Sequence, residues 1–181
     1  RSAELLRFSF DHHDLRNELQ AATFRLDDAR RLRIRLSRSG AIAIEVRAIP
    51  PVAAGLVTVA LAPLPVNPGD FRLRHKTSDR GFYDRARAQA GTYEVLFAGA
   101  DGFLTEGSFT SLFVERSGGL VTPPLARGLL PGVLRQRLIE EGRAIEGDLT
   151  ADDLAGGFMI GNSLRGLIPA RLVAAEDASG L

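Results

Sequence analysis

Seven residues divide this chain. Pro63-Leu64-Pro65-Val66-Asn67-Pro68-Gly69 holds three prolines and a glycine. Proline has no backbone N–H and a fixed φ, so neither a helix nor a central strand runs through such a stretch. The segment predicts a boundary. Residues 1–65 would form a small N-terminal domain, 66–70 a linker and 71–181 a larger C-terminal domain. The length of 181 residues and the 45% hydrophobic content allow for one large domain or two small ones with packed cores.

Ahead of the boundary, Asp11 sits where an N-cap belongs, with Asp14 three residues on and Phe10 and Leu15 placed as a hydrophobic staple. Leu15, Leu19 and Ala22 share one helical face. From Arg31 the period becomes two. Leu32, Ile34 and Leu36 alternate with Arg31, Arg33 and Arg35, Ser39-Gly40 turns the chain, and Ile42, Ile44 and Val46 alternate in turn. This pattern predicts a hairpin with one apolar and one charged face. A further strand is expected from Gly55 to Leu61.

Beyond the boundary, a helix is expected over 80–90, stopped by Gly91. Strands follow at 93–98, 103–106, 109–115 and 120–122. A second helix runs over 133–141, a helix start lies at Thr150, and strands are expected at 158–160 and 172–173. Short strands and helices mix without regular alternation, which predicts an α+β fold rather than a doubly wound sheet. The start at Arg1, without Met and inside the helical-looking Ser2–Leu6, reads as a chain whose upstream segment is missing.

Composition removes several classes of function. A net charge of +1 gives no global field for nucleic acid or membrane. No apolar run is long enough for a transmembrane helix and no signal peptide is visible at the start; the expected location is cytoplasmic, because a chain without cysteine fits a reducing compartment. There is no cysteine, which removes disulfides, thiolate-bound zinc and thiol catalysis. His12 and His13 point to different faces of a helix start and no further ligand cluster is visible, so no metal site is expected.

The positive charge is carried by twenty-two arginines and one lysine, Lys76. Arginine serves for ion pairs and anion clamps but does not shed its proton. Lysine can be tuned toward neutrality and can act as an amine nucleophile. Lys76, in Arg74-His75-Lys76-Thr77-Ser78-Asp79-Arg80, is therefore the candidate for amine chemistry. Arg80 could support it, although a surface charge at a helix start is the plainer reading. About thirty residues on, Thr105-Glu106-Gly107-Ser108-Phe109 places a carboxylate between apolar strands. Gly128-Leu129-Leu130-Pro131-Gly132-Val133 opens a helix, and free N–H groups at such a start attract an anion. A lysine, a carboxylate and a phosphate cradle are what pyridoxal phosphate requires of a protein.

The order of those three segments, with "TEGSFTSLF", "TPPLARGLLPGVLR" and "GNSLRGLIPA", resembles the class IV aminotransferase family, the fold-type IV pyridoxal phosphate enzymes. Within that family, "HKTSDRGFYD" and "GNSLRGLIPARLV" are most similar to the 4-amino-4-deoxychorismate lyases. The resemblance implies cleavage of 4-amino-4-deoxychorismate to 4-aminobenzoate and pyruvate in folate synthesis. It implies that Lys76 bonds the cofactor and that Glu106 faces the pyridine nitrogen. Leu130, Gly132 and Val133 would hold the phosphate through backbone N–H groups, with Asn162 and Ser163 on a later cofactor-side loop. By charge and position, Arg165 is the candidate for a substrate carboxylate.

The resemblance also implies a homodimer with sites near the subunit interface, and a fused or partner aminodeoxychorismate synthase. The family's small domain begins with a stretch that nothing here matches, so 1–65 reads as its second half. Two departures, Gly81 near the place of a common tyrosine and Leu134 where threonine often follows, weaken an aminotransferase reading more than a lyase one. The alternatives are a branched-chain or D-amino acid aminotransferase, and a non-catalytic fragment or interaction domain.

Overall fold

The computed structural model describes residues 1–51 and 53–173, so the last eight residues of the expected C-terminal domain lie outside the described residues. The chain separates into two compact units, Arg1–Val52 and Ala53–Leu181.

The first unit holds α1 (Ser2–Leu5), α2 (His12–Thr23), β1 (Arg30–Leu36) and β2 (Ile42–Ala48). Asp11 caps α2 by accepting from the His13 N–H at 2.6 Å, a contact of the kind worth about 1 kcal/mol. The β1–β2 hairpin is antiparallel, with Leu32 opposite Val46 and Ile34 opposite Ile44. These pairs make the expected apolar face. No described residue of this unit is buried, and Ile34 keeps 43% of its surface exposed.

The second unit is one eight-stranded mixed sheet carrying two helices. Its strands are β3 (Val57–Pro63), β4 (Glu94–Ala98), β5 (Leu104–Gly107), β6 (Ser111–Arg116), β7 (Gly119–Thr122), β8 (Ala144–Glu146), β9 (Phe158–Asn162) and β10 (Gly166–Leu172). Their spatial order is β5-β4-β3-β10-β9-β6-β7-β8. The helices are α3 (Gly81–Ala90) and α4 (Val133–Glu140). Because β5 also approaches β6, the sheet curls.

Strand periodicity sorts the core. Leu96, Leu112, Val114, Val121, Ile160 and Ile168 point inside the curl. Their neighbours Val95 and Phe97 face Phe82 and Tyr83 of α3, while Phe113 faces Leu134 and Leu138 of α4. Alternation by one residue therefore assigns each strand's side chains to one layer or the other.

The division of the chain falls upstream of the proline segment, at 52/53 rather than at 66–70. The reason is β3. It pairs in parallel with both β4 and β10, so it belongs to the large sheet, and Pro63 ends it at the register Pro63–Ala98. Leu64, from the end of the expected N-terminal domain, and Val66 of the expected linker pack under α3 with Leu73 and Phe97. The start at Thr150 gives a 3-10 turn, Ala151–Leu154, with a capping box from Thr150 and Asp153.

β10 is longer than expected because Pro169 does not break it. Pairing with β3 begins only at Ala170, so on that flank the proline has no ladder partner to deny. Among the described residues no helix is long and apolar enough to cross a membrane.

Candidate active site

Lys76 follows a 3-10 turn, Phe71–Leu73, whose buried Leu73 anchors it in the core beneath α3. Asp70 caps that turn through the Arg72 N–H at 2.8 Å and also holds the Arg72 guanidinium. The lysine is thereby pinned from its N-terminal side, and α3 fixes it from the other. Its side chain as a whole is exposed. Its amine has nevertheless lost enough hydration to lie below lysine's usual pKa. The Arg80 guanidinium pushes it further down, and the Glu106 carboxylate opposes both.

Glu106 stands near the end of β5 and is 5% exposed, not the solvated hairpin-edge residue that its place in the sequence also allowed. Its carboxylate accepts the Tyr83 hydroxyl at 2.5 Å, and the Leu130 N–H is directed at it. Burial pushes its pKa up to about 7, against the lowering effects of Tyr83, Leu130 and Arg80; the neighbouring Glu94 adds to the rise. The Tyr83 hydroxyl, itself buried beside that charge, is held far above the ordinary phenol range.

Arg80 is not the free surface charge that its helix-start position suggested. Its guanidinium donates to the Ser108 carbonyl and lies 5.0 Å from the Tyr83 ring centroid.

Two residues of this assembly were not among the expected site residues. Tyr83 sits one turn into α3, and only a contact across 23 residues of chain reveals its role. Glu94 is fully buried and accepts from the Val95, Ser108 and Phe109 N–H groups and from the Ser108 and Thr110 hydroxyls. It shapes the loop that follows Glu106. Gly107 makes that loop possible, since a Cβ there would collide with Thr110 Oγ1 and with the Glu94 carboxylate. The available signal was a charged residue opening the apolar run Val95-Leu96-Phe97.

The three residues expected to cradle a phosphate differ in what they have free. The Leu130 N–H is turned to Glu106. The Gly132 N–H closes a tight turn on the Leu130 carbonyl at 2.8 Å. Val133 opens α4, whose start no side chain caps, so the donors of its first turn are available. Gly132 matters for the approach: a Cβ there would stand 2.7 Å from Ser111 Oγ.

Asn162 ends β9. Its amide donates to the Phe109 carbonyl at 3.1 Å and accepts from the Leu164 and Arg165 N–H groups, tying the turn to the Glu94 loop. Ser163 beside it is exposed. The Arg165 guanidinium lies 5.1 Å from the Phe109 ring centroid.

The fold therefore brings Lys76, Arg80, Glu106 and Leu130 within one another's electrostatic reach, and joins Asn162 and Arg165 to them through the Glu106-to-Thr110 loop. Two shallow depressions elsewhere, one lined by Leu120, Arg143 and Met159 and the other by Arg135, Ile139 and Ile145, contain none of these residues. The donor set fits pyridoxal phosphate. It offers a depressed amine, a buried carboxylate with room in its bonding for a cationic partner, and an uncapped helix start reached over a glycine.

A curled mixed sheet with a lysine, a buried glutamate and an open helix start in this arrangement is the fold-type IV architecture of pyridoxal phosphate enzymes. The chain belongs to the class IV aminotransferase family, which it matches over residues 1–173. It is similar to a provisionally assigned aminodeoxychorismate lyase of Schizosaccharomyces pombe, 30% identical over 179 residues, covering 91% of this chain and 76% of that protein. The aminodeoxychorismate lyase of Saccharomyces cerevisiae is 32% identical over 133 residues, 61% of this chain and 35% of that one. A crystal structure from Mesorhizobium loti, provisionally assigned as an amino-acid aminotransferase, superposes with a TM-score of 0.88 at 39% identity, over 95% of this chain and 86% of that one.

Proposed function

We propose that this chain uses pyridoxal phosphate to cleave 4-amino-4-deoxychorismate into 4-aminobenzoate and pyruvate, a reaction of folate synthesis. The observation that carries it is Glu106, a buried carboxylate held by Tyr83 and Leu130 within the field of Lys76. The likeness to the two yeast lyases supports this choice of reaction.

The bound cofactor supplies an electron sink for charge developing on the substrate. Lys76 would hold it covalently through its amine, which desolvation and Arg80 keep easier to deprotonate than an ordinary lysine. The same amine, when free, would serve as the base for the proton on the amino-bearing carbon of the substrate. Glu106 would pair with the cofactor's ring nitrogen, and a positive charge there would offset the desolvation that pushes its pKa up. The N–H groups at Val133 and the start of α4 would take the phosphate, and Ser163 would contribute from the β9–β10 turn. Asn162 positions that side of the site by fixing the Phe109 loop, and Arg165 takes a substrate carboxylate. We read the assembly as a homodimer, which light scattering of the purified protein tests.

The likeness to the Mesorhizobium loti structure favours a second reading, transamination of an amino acid. One sequence of experiments separates them. Titration with pyridoxal phosphate, borohydride reduction and peptide mapping should label Lys76. 4-Amino-4-deoxychorismate should then yield pyruvate with no amino acceptor present. A label elsewhere removes the site. Turnover only with an amino acid and a 2-oxo acid moves the assignment to transamination.

A further inference from the structure

Phe109 is half-buried on the loop that follows Glu106, and two guanidinium groups lie over its ring. Arg165 and Arg87 each stand 5.1 Å from the ring centroid. Arg165 comes from the β9–β10 turn and Arg87 from α3, so elements far apart in sequence each deliver a guanidinium to the same ring. Both side chains are half-buried. Neither has a carboxylate partner among the described residues.

The nearest acid in the loop is Glu94, which is fully buried and already accepts five donors of its own surroundings. Arg80 adds a third guanidinium one residue away, at the Ser108 carbonyl. Cation–π attraction to the phenyl ring offsets part of the cost of desolvating each cation, but it supplies neither with a counter-charge.

The arrangement is held rather than incidental. Asn162 bonds the Phe109 carbonyl and the Arg165 N–H, so the ring and one guanidinium are set by a single side chain. Arg87 lies on the same face of α3 as Arg80 and Tyr83, three and four residues apart and seven in all, which is the helical spacing that places them in one row. That row already contacts Glu106 and Ser108.

We propose that Arg87 and Arg165, braced on Phe109, form a two-guanidinium subsite for a carboxylate of the substrate. Arg87 is thus a substrate-binding residue alongside Arg165. A carboxylate bridging two guanidinium groups gains charge-assisted hydrogen bonds from both and supplies the counter-charge. The proposal rests on the lyase reading for its choice of ligand, and its test runs independently of turnover.

Calorimetric titration of the cofactor-loaded protein with 4-aminobenzoate, and with neutral 4-aminobenzamide, measures the charge-dependent part of binding. The acid should bind at least tenfold more tightly than the amide. Arg87→Gln and Arg165→Gln should each weaken the acid by about tenfold, the loss expected for one charge-assisted contact, and leave the amide unchanged. Arg87→Lys, which keeps the charge, should recover part of the loss, and thermal melts establish that each variant is folded. Equal binding of acid and amide by the unsubstituted protein overturns the subsite. So does an Arg87→Gln variant, folded, that binds the acid normally. Failure of the lyase reading appears elsewhere, in the Lys76 label and the pyruvate assay.

Discussion

The two units of this chain are built from similar sequence patterns and reach different ends. The hairpin of the first unit alternates as cleanly as any strand in the second, yet Ile34 and Val46 keep 43% and 39% of their surface exposed. In the second unit Leu96 and Ile160 are fully buried. The difference is layering. β1 and β2 form a two-stranded ribbon, which is marginal alone. The strands of the second unit belong to a sheet whose two faces are both covered, one by its own curl and one by α3 and α4. Patterning tells which side of a strand is apolar, and only the neighbours decide whether that side is dry. The titratable groups that interact with one another around Lys76 and Glu106 all lie in the second unit, where burial can shift pKa values.

The sharpest test of that contrast is Lys76→Ala. It should abolish the borohydride-stable label and lower activity by about three orders of magnitude or more, as loss of a covalent amine does. Substitutions of His12 or His13 in the first unit should leave the label in place. Mass spectrometry of the reduced protein reads both.

Core truncation comes next. Phe113→Ala should destabilise by about 3–5 kcal/mol in denaturant unfolding, because Phe113 is fully buried between the sheet and α4. Ile34→Ala should cost less than about 1 kcal/mol, since much of that side chain is already wet. Equal costs would break the contrast.

The pH dependence of stability should differ in sign between the units. Glu106 has a folded pKa near 7, raised from 4.5. The folded state therefore holds a proton that the unfolded state has lost. Its contribution is fully present below about 4.5 and disappears as pH rises through 7, a loss of about 3 kcal/mol in the cofactor-free protein. Glu106→Gln should flatten that fall in thermal melts taken across the range. Glu45 in β2 runs the other way. Its hydrogen bond to Arg47 lowers its pKa, so its contribution is present above 4.5 and lost as pH drops. Being within reach of solvent, at a two-stranded hairpin with no buried residue, it should hardly register.

The smallest effect expected is that of Arg80→Gln. Without that guanidinium the Lys76 amine should titrate at higher pH. The absorbance change on cofactor attachment should shift its midpoint upward, and an unchanged midpoint would separate Arg80 from Lys76.

Much of the site was legible because its chemistry narrows the residue types. A single lysine, one carboxylate between apolar strands and a glycine before a helix are visible in one dimension. Their partners were not. Tyr83 and Glu94 look like ordinary residues of a helix and a strand until the curl of the sheet brings Glu106 and Ser108 against them. The boundary was misplaced for a related reason. Proline forbids continuation of a strand but does not say which sheet the preceding strand joins, and β3 joined the large one. Leu130 and Gly132 fell on the expected turn, but backbone N–H groups take whatever acceptor is nearest, and here those are Glu106 and a carbonyl two residues back.

By itself the sequence determined the elements that depend on near neighbours, namely the α2 cap, the β1–β2 hairpin, the Gly91 stop of α3 and the amine at Lys76. Only the tertiary structure decided what depends on distance in the chain: that Glu106 is buried, that Tyr83 and Glu94 hold its surroundings, and that Arg87 and Arg165 both pack on the Phe109 ring. Periodicity and capping act within a few residues, whereas desolvation and charge act through space.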